Sequence, residues 1–189
     1  GSIAGFAQTQ QNTNDIYKDA NAYFYFEDYE EAVALYLEIY DQFPNNHNLD
    51  YRIGLCYLNI YGQKDKAVHY LERAIENTTY RYNENSIKET KAPVDAHFYL
   101  GNAYLVSYDF RKAQYAYNNF ENIIKKEQIY NTGYLNNQYG AIGRAKTYMN
   151  YPVNFISTNL GNLINSQQPG STPAISADGS TLAFTRQEK

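Results

Sequence analysis

Apolar and small residues recur at helical spacing in three stretches of the chain, about residues 13–46, 47–80 and 94–127. The stretches can be laid over one another almost without gaps. Each places an aromatic or apolar pair, a small residue and a Tyr, then an Asp/Lys-Ala step, then a bulky residue. Turn residues split each stretch in two, so the pattern predicts an A helix and a B helix per stretch. The third stretch reads His97-Phe98-Tyr99-Leu100-Gly101-Asn102-Ala103-Tyr104, then Tyr108-Asp109-Phe110-Arg111-Lys112-Ala113, then Tyr117 and Phe120. The second reads Tyr51-Arg52-Ile53-Gly54-Leu55-Cys56-Tyr57, then Ala67, Leu71 and Ala74, with one extra residue in its Gly62-Gln63-Lys64 turn. The first reads Lys18-Asp19-Ala20-Asn21-Ala22-Tyr23, then Asp28-Tyr29-Glu30-Glu31-Ala32, then Tyr36, Ile39 and Pro44.

Steric demand gives these positions their roles. Ala20, Gly54 and Gly101 are expected where helix A meets helix B, with Ala32, Ala67 and Ala113 facing them. Tyr23, Tyr57 and Tyr104 are expected to fill the gaps between neighbouring hairpins. Pro44 stops a helix, and Asn45-Asn46 favours a turn. The polar residues 78–92 have no clean period, so they extend helix B or form a longer loop, after which Pro93 opens the next helix in its first turn. Residues 131–149 read as one more helix with Tyr139, Ile142, Ala145 and Met149 on one face.

A repeat of roughly 34 residues with these occupants resembles the tetratricopeptide repeat (TPR). The resemblance implies an all-α, TPR-type helical-hairpin solenoid of three repeats plus a capping helix, because one hairpin cannot bury its own apolar face and stacking supplies the core. The expected organisation is a signal remnant or flexible arm over residues 1–12, the solenoid over 13–149, and an extended tail with a short β-hairpin over 150–189.

The tail follows different rules. Residues 153–157 suit a short strand, and residues 159–171 are rich in Asn, Gln, Gly and Ser and suit a loop. Two alternating runs, at Pro173–Ser176 and Thr181–Thr185, flank Ala177-Asp178-Gly179-Ser180, a hairpin signal. Pro173, Ser176, Asp178, Gly179, Leu182 and Phe184 also resemble the opening of a β-propeller repeat of the TolB/PD40 kind. A blade needs four strands, so the chain is either a fragment of a larger protein or has kept one hairpin for another use. The order of parts resembles the N-terminal region of Bacteroidetes envelope proteins in which TPRs lead into a propeller and often an OmpA-like domain. That resemblance implies an exported, periplasmic, outer-membrane-associated scaffold. Ser2–Ala7 fit the tail of a secretory signal, or a plain flexible arm.

Composition removes some functions. The 20 acidic residues outnumber the 16 basic ones, and the basic residues do not cluster, so no nucleic-acid surface is expected. No stretch is long enough to span a membrane. Cys56 is the single cysteine, read as a small buried hydrophobe. His47, His69 and His97 are scattered, without metal-ligand spacing or a nucleophile–base pair, so no catalytic residue, metal or cofactor is expected. Asp28, Glu30 and Glu31 suit a helix N-terminus.

The 22 tyrosines change the picture. Most would fill repeat cores; a surplus would line a binding surface. TPR geometry implies a groove lined by the A helices: Tyr17, Asn21, Phe24 and Tyr25, then Tyr51, Leu55, Leu58 and Asn59, then Asp95, Phe98, Asn102 and Val106. Asn21 and Asn102 share one repeat position. An amide there either holds a peptide backbone, offering donor and acceptor together, or is merely solvated. The basic residues of a carboxylate clamp are replaced: Tyr17 stands in the place of the Lys, and Arg52 is the one nearby cation. The expected partner is therefore a protein or peptide segment, extended or helical and apolar. The alternative is a structural spacer whose groove is filled by its own tail.

Overall fold

Turn residues cut the chain close to where its periodicity places them. The computed structural model describes residues 2–126, 133–154, 156–161, 164 and 170–186. The first hairpin is α1 (Ser2–Tyr25) and α2 (Tyr29–Tyr40), the second α3 (His47–Asn59) and α4 (Lys66–Ala74), the third α5 (Ala96–Val106) and α6 (Phe110–Lys126). A closing helix follows, α7 (Gly133–Asn150). Each helix packs on the next one in sequence, the arrangement of a helical-hairpin solenoid. Residues 1–150 and 151–189 form two compact units.

Small residues let the paired helices close. A Cβ on Gly54 would lie 2.6 Å from Leu71 Cγ, and one on Gly101 would collide with the Tyr117 ring. Ala20, Ala32, Ala67 and Ala113 are fully buried at the matching positions. Tyr57 and Tyr104 are both buried; Tyr57 stacks on Tyr70 of its own hairpin, while Tyr104 donates to Glu72 Oε1 of the preceding hairpin at 2.5 Å. Tyr23 is 40% exposed, contrary to expectation, since no preceding hairpin lies among the described residues for it to abut. The A-to-B turns each need a left-handed residue: Glu27 (φ 64°), Gly62 (φ 76°) and Tyr108 (φ 62°). Only the second repeat spends a glycine there, the residue type that adopts this conformation without strain.

Several boundaries differ from the sequence expectation. The helix α1 begins at Ser2, so the expected arm is, from that residue on, its first turns. The helix α2 ends four residues before Pro44; Asn45 turns the chain at φ 62°, and Asn46 caps α3 by accepting from Leu49 N at 3.0 Å. Pro93 does not open a helix. It lies in β2 (Ala92–Pro93), which pairs in parallel with β1 (Thr78–Thr79), and Asp95 is the N-cap of α5. In α7 the buried anchors are Leu135 and Ile142, while Met149 is 57% exposed, with no further helix over that end among the described residues. Residues 131 and 132 of that expected helix lie outside the described residues.

The second unit holds an antiparallel hairpin, β3 (Gly170–Ile175) with β4 (Leu182–Arg186). Asp178 organises its turn: Ser180 N donates to Oδ1 at 3.1 Å and Ser176 Oγ at 2.5 Å, which pulls the Asp178 pKa down to about 2. Gly179 supplies the left-handed residue at φ 71°. The ladder is irregular between Ser171 and Ala174, where Pro173 removes a donor. Residues 153, 154, 156 and 157 form no strand, since no described strand pairs with them; Phe155 lies outside the described residues.

Candidate functional site

The helix α3 is buried on every side, from Asn48 to Leu58. An A helix in a solenoid normally keeps one open face. Here the connection between α4 and α5 lies across that face, and its backbone is held by side chains of the first two hairpins. The carbonyl of Glu84 accepts from Tyr17 Oη at 3.0 Å, from an Arg52 guanidinium nitrogen at 3.2 Å and from Asn21 Nδ2 at 3.4 Å. Tyr82 Oη donates to Asn48 Oδ1 at 2.5 Å, and Asn48 Nδ2 donates to Tyr17 Oη at 2.9 Å. Near its end the connection accepts from His47 N through the carbonyl of Thr90, at 2.9 Å. Residues 80–91 thus form an insert seated on repeats one and two.

This insert redraws the expected groove. Tyr17 and Asn21 are buried beneath it rather than open to a partner. Asn21 does hold a peptide backbone, but that of its own chain. Leu58 is buried in the core, and Phe98 packs against Tyr117, Phe120 and Tyr134 of α6 and α7. Asn102 is half-buried and accepts from Tyr117 Oη at 2.7 Å. Val106 lies apart, beside a shallow hollow lined by Tyr61, Lys64, Asp65 and Tyr108 at the turn ends of repeats two and three.

The other six expected residues come together. Phe24, Tyr25, Tyr51, Leu55, Asn59 and Asp95 line one pocket of about 420 Å³. Tyr29, Arg52, Tyr82, Glu84, Pro93 and Tyr99 complete it, so the pocket touches the A helices of all three hairpins and has the insert as one wall. Tyr51 meets Tyr82 and Tyr99 edge-on, with ring centroids 6.1 and 6.0 Å away. The sequence signal for Arg52 was its standing as the lone cation of that face; Tyr82 and Glu84 gave none, being in an aperiodic segment.

Electrostatics divide the pocket into a cationic floor and an anionic rim. The Arg52 side chain is only 3% exposed and lies over the Phe24 ring, 4.7 Å from its centroid. The Glu84 carboxylate, half exposed, stands 3.7 Å from it. Arg52 Nε is buried without a hydrogen-bond partner. Asp95 has solvent access and no ion-pair partner for its carboxylate among the described residues; desolvation raises its pKa, against a smaller opposing pull from its own backbone N–H. Burial also pushes Tyr51 and Tyr82 upward, so both phenols stay protonated donors at neutral pH.

Residues 49–77, which span most of the second hairpin, match the family model of the tetratricopeptide repeat. The match supports reading the chain as a TPR protein, and such repeats generally mediate protein–protein interaction. No curated protein is significantly similar to the chain, so the envelope-protein resemblance has no relative behind it.

Around the TPR match, α3 carries a second polar centre. Asp50 is fully buried and accepts from Arg73 Nε at 3.0 Å and from Tyr40 Oη. His47 Nδ1 donates to the Arg73 carbonyl oxygen, 2.8 Å away. These contacts tie repeat one's B helix to repeat two and involve no residue that lines the pocket. Cys56 is buried in the core of the second hairpin, where desolvation pushes its thiol up to about 12, the opposite of a reactive cysteine. Among the described residues no group of His, Cys, Asp and Glu could hold a metal ion, and no helix is long and apolar enough to cross a membrane.

Proposed function

We propose that this chain is a non-enzymatic interaction module whose A-helix pocket receives a segment of a partner protein. The observation that carries this reading is the pocket of about 420 Å³ shared by α1, α3 and α5. It is aromatic, partly polar and reaches across three repeats, as a site for side chains of an extended or helical segment should. The role as an assembly scaffold of the cell envelope, exported and associated with the outer membrane, belongs to the same proposal. Its support is the resemblance in the repeats and the Asp178-Gly179 hairpin.

Photo-crosslinking in the native cell tests both parts. A benzophenone side chain at Tyr25 or Tyr99 is expected to trap a protein adduct, whereas one at Tyr115, 69% exposed on α6, is not. Absence of adducts at both pocket positions overturns the module reading. Adducts in a soluble fraction, with none in the outer-membrane fraction, overturn the location alone.

The second reading is a structural spacer whose groove the chain itself fills. The grip of Tyr17, Asn21 and Arg52 on the Glu84 carbonyl favours it. It predicts silence at all three crosslinking positions.

A further inference from the structure

We infer that the pocket selects a cationic side chain, the Arg or Lys of a partner segment, and seats it between the Asp95 carboxylate and the rings of Tyr51 and Tyr99. This rests on the reading of the pocket as a partner site and adds the chemistry of the anchor residue.

The argument is a charge balance. Three charged side chains line the pocket: Arg52, Glu84 and Asp95. Arg52 and Glu84 face each other at 3.7 Å and offset one another. Asp95 is left over, with no ion-pair partner among the described residues and only its own backbone N–H against its carboxylate. The single positive charge lies on the floor, 3% exposed and under the Phe24 ring, so an incoming group does not meet it first. What an incoming group meets is carboxylate and aromatic surface. Ring faces attract cations through their quadrupoles, and a cation gains further where a carboxylate stands beside them. The Phe24, Tyr25 and Tyr82 rings already do this for Arg52, at 4.7, 5.7 and 5.9 Å. Tyr51 and Tyr99, with ring centroids 6.0 Å apart, have no cation over them among the described residues. The pocket is therefore a cage with one half filled from within and the other half open beside a free acid. An anionic side chain would face Asp95 and Glu84 without access to Arg52. A purely apolar one would bury the Asp95 carboxylate uncompensated.

The test is a titration of the full chain, followed by NMR of the tyrosine rings, with N-acetylarginine amide, N-acetylleucine amide and N-acetylglutamate amide at matched ionic strength. The arginine probe is expected to shift Tyr51 and Tyr99 saturably, and D95N to weaken it by about fivefold, the size of a partly exposed ion pair. Because Asp95 caps α5 without a side-chain hydrogen bond, D95N is expected to leave the fold intact; D95E, which restores the charge, is expected to recover binding. Equal or tighter binding of the leucine or glutamate probe overturns the inference, as does arginine binding indifferent to D95N. If pocket crosslinks form in cells while the arginine probe leaves both rings unmoved, the cation preference falls and the partner site stands. If the arginine probe binds and no crosslink forms, the partner site falls instead.

Discussion

Asn21 and Asn102 occupy the same place in their repeats and have opposite fates. Each accepts from a tyrosine fifteen residues on, Tyr36 at 2.5 Å and Tyr117 at 2.7 Å, across a helix pair closed by Ala20 or Gly101. The hairpins are locally alike. Yet Asn21 is 6% exposed with its amide on the Glu84 carbonyl, while Asn102 is half-buried and its Nδ2 has no partner among the described residues. The difference is not in either repeat. It comes from an insert that lies over the first asparagine and not the second. A repeat position thus fixes what a side chain can bind, and the rest of the chain decides whether something is already bound.

Four experiments would break or sharpen that comparison. The largest effect should come from replacing residues 81–90 by a Gly-Ser linker. The linker still offers a carbonyl at position 84, but without Tyr82 on Asn48 and the buried Ile87 nothing seats it, so the three hydrogen bonds to that oxygen, at about 1 kcal/mol each, would go and stability should fall by about 3 kcal/mol or more. An unchanged urea midpoint would mean that the insert merely rests on the surface. Next, Gly101→Ala forces a methyl group into the Tyr117 ring and should cost about 2 kcal/mol, read as a lower melting temperature. A neutral result would show the third hairpin to be looser than the first.

The third pair is the most direct. Tyr36→Phe strands a buried Asn21 oxygen, whereas Tyr117→Phe leaves Asn102 able to find water. The first should therefore cost about 1 kcal/mol more than the second in chemical denaturation. Equal costs would remove the distinction between covered and open asparagines. The smallest effect concerns His97, in the third repeat's A helix, whose Nδ1 is buried without a partner and whose pKa is lowered by burial. The unfolded chain takes up that proton near pH 6.5, before the folded one does. Stability should decline as pH falls from about 6.5 toward the lower folded value. His97→Gln should flatten the decline between pH 7 and pH 5; a slope identical to the parent's would place the acid sensitivity elsewhere.

Much of the fold was legible because the repeat is written in side chains. Gly54 and Gly101 announce close helix pairs, and Tyr104 announces a hairpin junction. The Asp178-Gly179 turn was legible for the same reason. Half of the expected groove residues do line the pocket, since A-helix geometry alone puts Phe24, Tyr51 and Asp95 on one side. Tyr17 and Asn21 were misplaced because what covers them is a backbone carbonyl. Any residue at position 84 offers that oxygen, so the sequence around it carries no mark. Arg52 was visible as a cation, but its descent to the floor depends on Tyr82 and Glu84 arriving from the insert. Met149 and Tyr23 differ for a simpler reason: a repeat pattern assumes neighbours, and none covers these two among the described residues.

The seat of the insert also bears on how the chain comes to be folded. Tyr17 and the Glu84 carbonyl are separated by 67 residues, and Asn21 and the same carbonyl by 63. Repeat stacks ordinarily zip from neighbour to neighbour as each hairpin forms. Here the first two hairpins leave the ribosome with an aromatic face still bare, and they stay incomplete until residue 84 has followed them out. During that interval the uncovered strip around Tyr17, Asn21 and Arg52 is what a nascent-chain chaperone would meet.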